Sequence, residues 1–206
     1  MRKLRKSSAK SRLKKPLLRH FKPNDDKFRE LVIFIAERSE SDPHFGAIKL
    51  NKLLFYCDFL AYLKLGKPIT GQPYFKLEQG PAPRYGTRIR EQMVNAREIG
   101  SQRKKTINGI QVRTVALRPA NPDVFSSPEI ALITEVLQTY RASSGSELSE
   151  KSHKFAGWYL ADDKETIPYA VALVGNRLPM HSEIQKGITL EATAAACLTD
   201  HASQTA

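Results

Sequence analysis

The run Gly46-Ala47-Ile48-Lys49-Leu50-Asn51-Lys52-Leu53-Leu54-Phe55-Tyr56-Cys57-Asp58-Phe59-Leu60-Ala61-Tyr62-Leu63-Lys64-Leu65-Gly66 decides the fold class. Leu50, Leu53, Leu54, Cys57 and Ala61 recur at helical spacing and make one apolar face. Phe55, Tyr56, Phe59, Tyr62 and Leu63 cover much of the remaining circumference. Gly66 supplies a C-terminal cap, and Pro68 keeps the helix from resuming. A helix apolar nearly all round is either central in the fold or shared between the core and a partner. Four polar residues interrupt it before its last turn. Lys49 and Lys52 lie in the first turns, where the helix dipole disfavours a cation by about 0.3–1 kcal/mol. Asn51 and Asp58, once buried, each need a hydrogen-bond partner. Lysines so placed either receive an acidic group from a partner or pair internally with carboxylates such as Glu78 or Asp58.

Toward the N-terminus, Asn24 is positioned to cap a helix whose first turn holds Asp25 and Asp26, both favourable at the positive end of the dipole. Phe28, Leu31, Val32 and Ile35 follow at i, i+3, i+4, i+7, and Ser41-Asp42-Pro43 ends the run. Residues 1–22 differ in kind. They carry ten Lys and Arg and no acid, among them Arg2, Lys3, Arg5, Lys6, Arg12, Lys14 and Lys15. The rest of the chain has 23 bases against 21 acids, so most of the net charge of +12 sits in this segment. Such a run repels itself and has no apolar period, which predicts a disordered tail. The tail is either a solvated extension or, through those seven residues, a contact for nucleic acid or an acidic partner. Its Arg- and Ser-rich, acid-free composition is also that of an organellar transit peptide, a reading nothing else in the chain favours.

Beyond Gly66, Tyr74–Glu78 alternates as a strand, and Gln79-Gly80-Pro81-Ala82-Pro83 is a rigid loop. Pro83 suits the first turn of a third helix, with Ile89, Met93 and Ala96 inward and Gly100 as its stop. Asn108-Gly109 signals a hairpin between Lys104–Ile107 and Ile110–Leu117, able to form a small antiparallel sheet with the strand near Phe75. Ser127 as cap, Pro128 and Glu129 open a further helix with Ile130, Ile133, Leu137 and Tyr140 on its face. A Ser/Gly-rich loop leads to a short helix from Ser146 to Lys154, followed by Trp158 and a last segment from Ile167 to Leu173. Past Leu178 the pattern weakens. The expected organisation is a basic tail over 1–22, a compact domain over 23–177 and a loosely attached extension over 178–206. The expected fold class is mainly α (α+β), a compact helical domain with a small antiparallel hairpin or sheet.

No catalytic constellation is visible in the sequence. A 206-residue chain with 41% hydrophobic and 26% charged residues has the composition of a globular domain. No apolar run approaches the roughly 18 residues of a membrane span. Two cysteines, Cys57 and Cys197, suggest reduced thiols in a cytoplasmic protein rather than a disulfide framework. The five histidines lack zinc-ligand spacing, and Walker A, GxGxxG and GxSxG stretches are missing. His153, near the end of a short helix, fits a structural bond to terminal carbonyls better than catalysis. The expectation is a non-enzymatic binding protein with no metal, no cofactor and no membrane partner.

Three blocks in order resemble one family. Ile48-Lys49-Leu50-Asn51-Lys52-Leu53-Leu54-Phe55-Tyr56 is similar to the signature helix of the SocA-like Panacea domain, which typically reads K-L-x-K-L-L-Y-Y. Glu78-Gln79-Gly80-Pro81 resembles its motif ending in Gly-Pro. Glu147-Leu148-Ser149-Glu150-Lys151-Ser152-His153, then Trp158 and Ile167-Pro168, resembles its third block. The resemblance spans roughly residues 25–175. It implies a mostly helical domain serving as antitoxin in a bacterial or phage toxin–antitoxin pair and neutralising a protein toxin by direct binding. The founding member instead delivers its toxin to the ClpXP protease as an adaptor. The basic tail and the C-terminal extension depart from a minimal member. On this resemblance the signature helix and the Gly80-Pro81 loop are expected to form the contact surface, with Lys49, Lys52, Tyr56, Gly80, Pro81 and Arg84 reaching the partner. The alternatives are a proteolytic adaptor and a nucleic-acid-binding regulator working through the tail.

Overall fold

In the computed structural model, which describes residues 21–106 and 109–174, helix α1 spans Asp25–Arg38 and begins where its caps predict. The Asn24 side chain accepts the Lys27 N–H at 2.9 Å, satisfying one of the orphan donors of a helix start. Helix α2, Ala47–Leu65, ends at Gly66, whose φ of 73° suits a residue without Cβ and whose N–H returns to the Tyr62 carbonyl.

Two cores meet on α2. Leu50, Leu53, Leu54, Cys57 and Ala61 pack with Phe28, Leu31, Val32 and Ile35 of α1. The same core takes in Ile89 and Met93 of α3 (Gly86–Asn95) and Leu132, Ile133 and Val136 of α4 (Ser127–Thr139). Phe55 and Phe59 turn the other way, into an aromatic cluster with Tyr74, Phe155 and Tyr169. Its rings meet largely edge to face, as at Phe55–Phe155 with centroids 5.3 Å apart, the arrangement their quadrupoles favour. A central position explains why this helix is apolar nearly all round.

The sheets depart from the sequence reading. β1 is only Tyr74–Phe75, and it lies between β2 (Ala82–Pro83) and β5 (Thr166–Ile167) in an antiparallel three-stranded sheet. Pro83 pairs with Tyr74 and does not open α3. Ala96 is an exposed C-cap rather than an inner residue, and Gly100 already belongs to β3. β3 (Ile99–Thr106) and β4 (Gly109–Ala116) form a separate ribbon that does not join the Phe75 strand. Its register pairs Thr106 with Gly109, so Gly109 is a strand residue; Asn108 lies outside the described residues.

The cap of α4 is Ser126, not Ser127, its N–H donating to Glu129 at 2.8 Å. Helix α5, Gly145–His153, is capped reciprocally by Ser144 and Glu147. Helix α6, Ala156–Leu160, and a 3-10 turn, Tyr169–Val174, complete the described chain. Phe21, within the segment expected to be tail, packs edge-on against Tyr62 and Tyr169. The other tail expectations fall on residues 1–20, and the whole of the expected C-terminal extension, 178–206, also lies outside the described residues. The fold class is the expected one, mainly α with small antiparallel sheets. Among the described residues no helix is long and apolar enough to cross a membrane.

Candidate partner-binding site

Lys49 is 1% exposed and its ammonium has three acceptors. It meets the Asp42 carboxylate at 2.7 Å and donates to the carbonyls of Arg141 at 2.9 Å and Ser143 at 2.6 Å. One side chain thus ties the loops that follow α1 and α4 to the start of α2. The pairing carboxylate is neither Glu78 nor Asp58. Asp42 is the nearest acid in sequence, and it was missed because it reads as a turn residue. Its other oxygen accepts the His44 N–H, so the charge is well satisfied despite burial.

Lys52 is 2% exposed and donates to the Pro81 carbonyl at 3.0 Å. Removal from water, with no carboxylate beside it, pushes its pKa down to about 7. The loop that receives it is built around Gly80, at φ 91°. A Cβ there would lie 2.2 Å from Ser152 Oγ and 2.8 Å from Lys52 Nζ, so only glycine fits. Around this point the Ser149 hydroxyl donates to the Gln79 carbonyl at 2.7 Å, and the Trp158 indole donates to the Leu77 carbonyl at 2.9 Å. His153 stacks on Trp158 with centroids 4.0 Å apart, and its buried Nε2 has no hydrogen-bond partner among the described residues. The three sequence blocks therefore close into one knot formed by α2, the 77–81 loop and the α5–α6 corner.

The other polar groups of α2 are also partnered. Asp58 accepts from the Thr70 N–H at 2.7 Å, the Thr70 hydroxyl at 2.5 Å and the Tyr74 hydroxyl at 2.9 Å. Full burial pushes its pKa up to about 6, against the pull of these bonds. Asn51 accepts from Arg90 at 2.9 Å.

Of the six residues expected to reach a partner, Lys49, Lys52, Gly80 and Pro81 are buried. The outward reach expected of the two lysines is corrected: their stems and ammonium groups are committed to the interior. Tyr56 is half-buried and stacks on Tyr140 at 4.5 Å; burial, with Tyr140 beside it, raises its phenol pKa. It lines a groove of 370 Å³ with Phe59, Leu60, Leu63, Tyr140 and Ala172. Arg84 is exposed, lies over Phe75, and donates to the Lys164 carbonyl and the Thr166 hydroxyl, which ties it to β5. Arg2, Lys3, Arg5, Lys6, Arg12, Lys14 and Lys15 lie outside the described residues. Among the described residues, no three His, Cys, Asp or Glu side chains gather as a metal site would require.

Residues 50–159 match the family model described as antitoxin SocA-like, Panacea domain. No curated protein and no solved structure matches the chain. The matched span takes in Lys52, the Gly80-Pro81 loop, α5 and Trp158, and so contains most of the knot, with Lys49 just before it.

Proposed function

The chain belongs to the SocA-like Panacea domain family, and on that premise we propose that it is an antitoxin that neutralises a cognate protein toxin by direct binding, without turnover of a substrate. The observation that carries this reading is the family match over more than half of the chain. The structure supports a surface role indirectly. Its signature lysines are used inside, so a partner meets the exposed side chains around them, including the Tyr56 groove and Arg84. Such interfaces draw most of their energy from a few aromatic and Arg anchors.

The test is co-expression with a candidate protein toxin, in cells with and without ClpXP. Rescue of growth in both strains supports direct masking. Rescue only where ClpXP is present assigns the adaptor role instead, and no rescue in either strain refutes both. A second reading, nucleic-acid binding through the tail, is favoured by the ten bases of residues 1–22. Deleting residues 1–20 leaves Phe21 in place and abolishes RNA or DNA retention if that reading is right.

A further inference from the structure

Toward its turn the β3–β4 ribbon has one face docked and one face open, whereas at its base the Ile99–Ala116 pair packs on the core. Opposed residues of an antiparallel pair lie on the same face, and the register pairs Gln102 with Arg113 and Lys104 with Gln111. Arg113 is buried and donates to the carbonyls of Asp42, Glu40 and Ser39, while Gln111 reaches the Pro43 carbonyl. Through these two β4 residues that face is docked on the α1–α2 loop, while Gln102 and Lys104 opposite them remain exposed. The opposite face pairs Arg103 with Val112 and Lys105 with Ile110. All four are exposed, Ile110 by 69% and Val112 by 41%. No Asp or Glu occurs between residues 99 and 117. None of the ion pairs among the described residues engages Arg103 or Lys105.

We infer that this open face, Arg103, Lys105, Ile110 and Val112, is a docking surface for an acidic protein segment that sets apolar side chains between carboxylates. Two cations directly across from two branched aliphatics complement such a segment in both charge and polarity. Nucleic acid would use the cations but leaves Ile110 and Val112 without a role, since phosphate recognition is electrostatic. Strand propensity alone accounts for Ile and Val here; it does not account for the unpaired cations opposite them. The segment's identification as part of a toxin rests on the proposed function, whereas the docking surface does not.

The experiment places a photo-crosslinking amino acid at Val112 in the full-length protein in its native cells, with Val94, exposed on α3, as control. The expected result is one protein captured from position 112 and not from 94, at an acidic segment mapped by mass spectrometry. The pair Arg103→Glu and Lys105→Glu then lowers capture at least tenfold, and reversing acids in the mapped segment to Lys restores it. Ile110→Thr, which keeps a β-branched residue, lowers capture from 112 while the circular dichroism spectrum is unchanged. A nuclease-sensitive crosslink, equal capture from both positions, no capture from 112, or capture indifferent to charge reversal overturns the inference. Toxicity of the captured protein is read separately. A harmless partner keeps the docking surface and shows that the ribbon does not serve the antitoxin reading, which the co-expression test decides on its own. Neutralisation by the wild-type chain without capture from 112 removes the docking surface alone.

Discussion

Lys49 and Lys52 on α2 and Arg103 and Lys105 on β3 are cations of the same class in opposite situations. The first two are buried under loops, where their ammonium groups meet the Asp42 carboxylate and the carbonyls of Arg141, Ser143 and Pro81. The second two stand on an open ribbon face, free of ion pairs among the described residues. The blocks by which the family is recognised thus mark how the domain is held together. Side chains that carry charge without using it in an ion pair among the described residues lie elsewhere, on the open ribbon face.

Substitutions on the two sides should therefore fail differently, and the largest effect belongs inside. Lys49→Ala leaves the Asp42 carboxylate buried without its cation, a loss that typically costs about 3–5 kcal/mol. Urea unfolding should show it, and a loss below 1 kcal/mol would mean that the clamp is dispensable. Gly80→Ala comes next, at about 2–3 kcal/mol, because a Cβ at φ 91° is strained and collides with Ser152 Oγ and Lys52 Nζ. Pairing it with Ser152→Gly should recover only the steric part.

Lys52 supplies a pH signature. Its pKa is about 7 in the fold and 10.5 in the free side chain, so between those values the unfolded chain binds more protons than the folded one. Stability should therefore rise as pH goes from 7 toward 10, by at most about 1.4 kcal/mol per unit from this group. The unfolding midpoints of the wild type and Lys52→Met, compared across that range, check it. The variant should lose this rise, and equal slopes would place the titration elsewhere. The smallest stability effect belongs to the ribbon. Ile110→Thr and Val112→Thr should each shift stability by no more than about 0.5 kcal/mol while weakening partner capture. A large thermal shift would mean that the open face supports the fold.

The same contrast separates what was legible in the sequence from what was not. α1 and α2 could be read because their signals are local: Asn24 before Asp25-Asp26, helical spacing of Leu and Phe, Gly66 at the end. β2 could not, since a two-residue strand has no period and Pro83 also suits a helix start. The ribbon was legible as a hairpin, but its separation from β1 depends on tertiary placement. Lys49 and Lys52 were misread because a charged side chain on an apolar helix normally points to water. Their carbonyl acceptors, 29 to 94 residues away, leave no trace in spacing. Arg113 was missed for the same reason: it is buried against carbonyls 71 to 74 residues away. The knot's membership was visible as three blocks in order, but nothing in the order said that they touch.

The most direct test of the account titrates the purified full-length chain into an activity assay of its cognate toxin, with no protease and no nucleotide present. Direct masking predicts that inhibition rises linearly and is complete at a fixed stoichiometric ratio. Inhibition that stays absent until ClpXP and ATP are added, or that is complete at far below stoichiometric amounts, would contradict it.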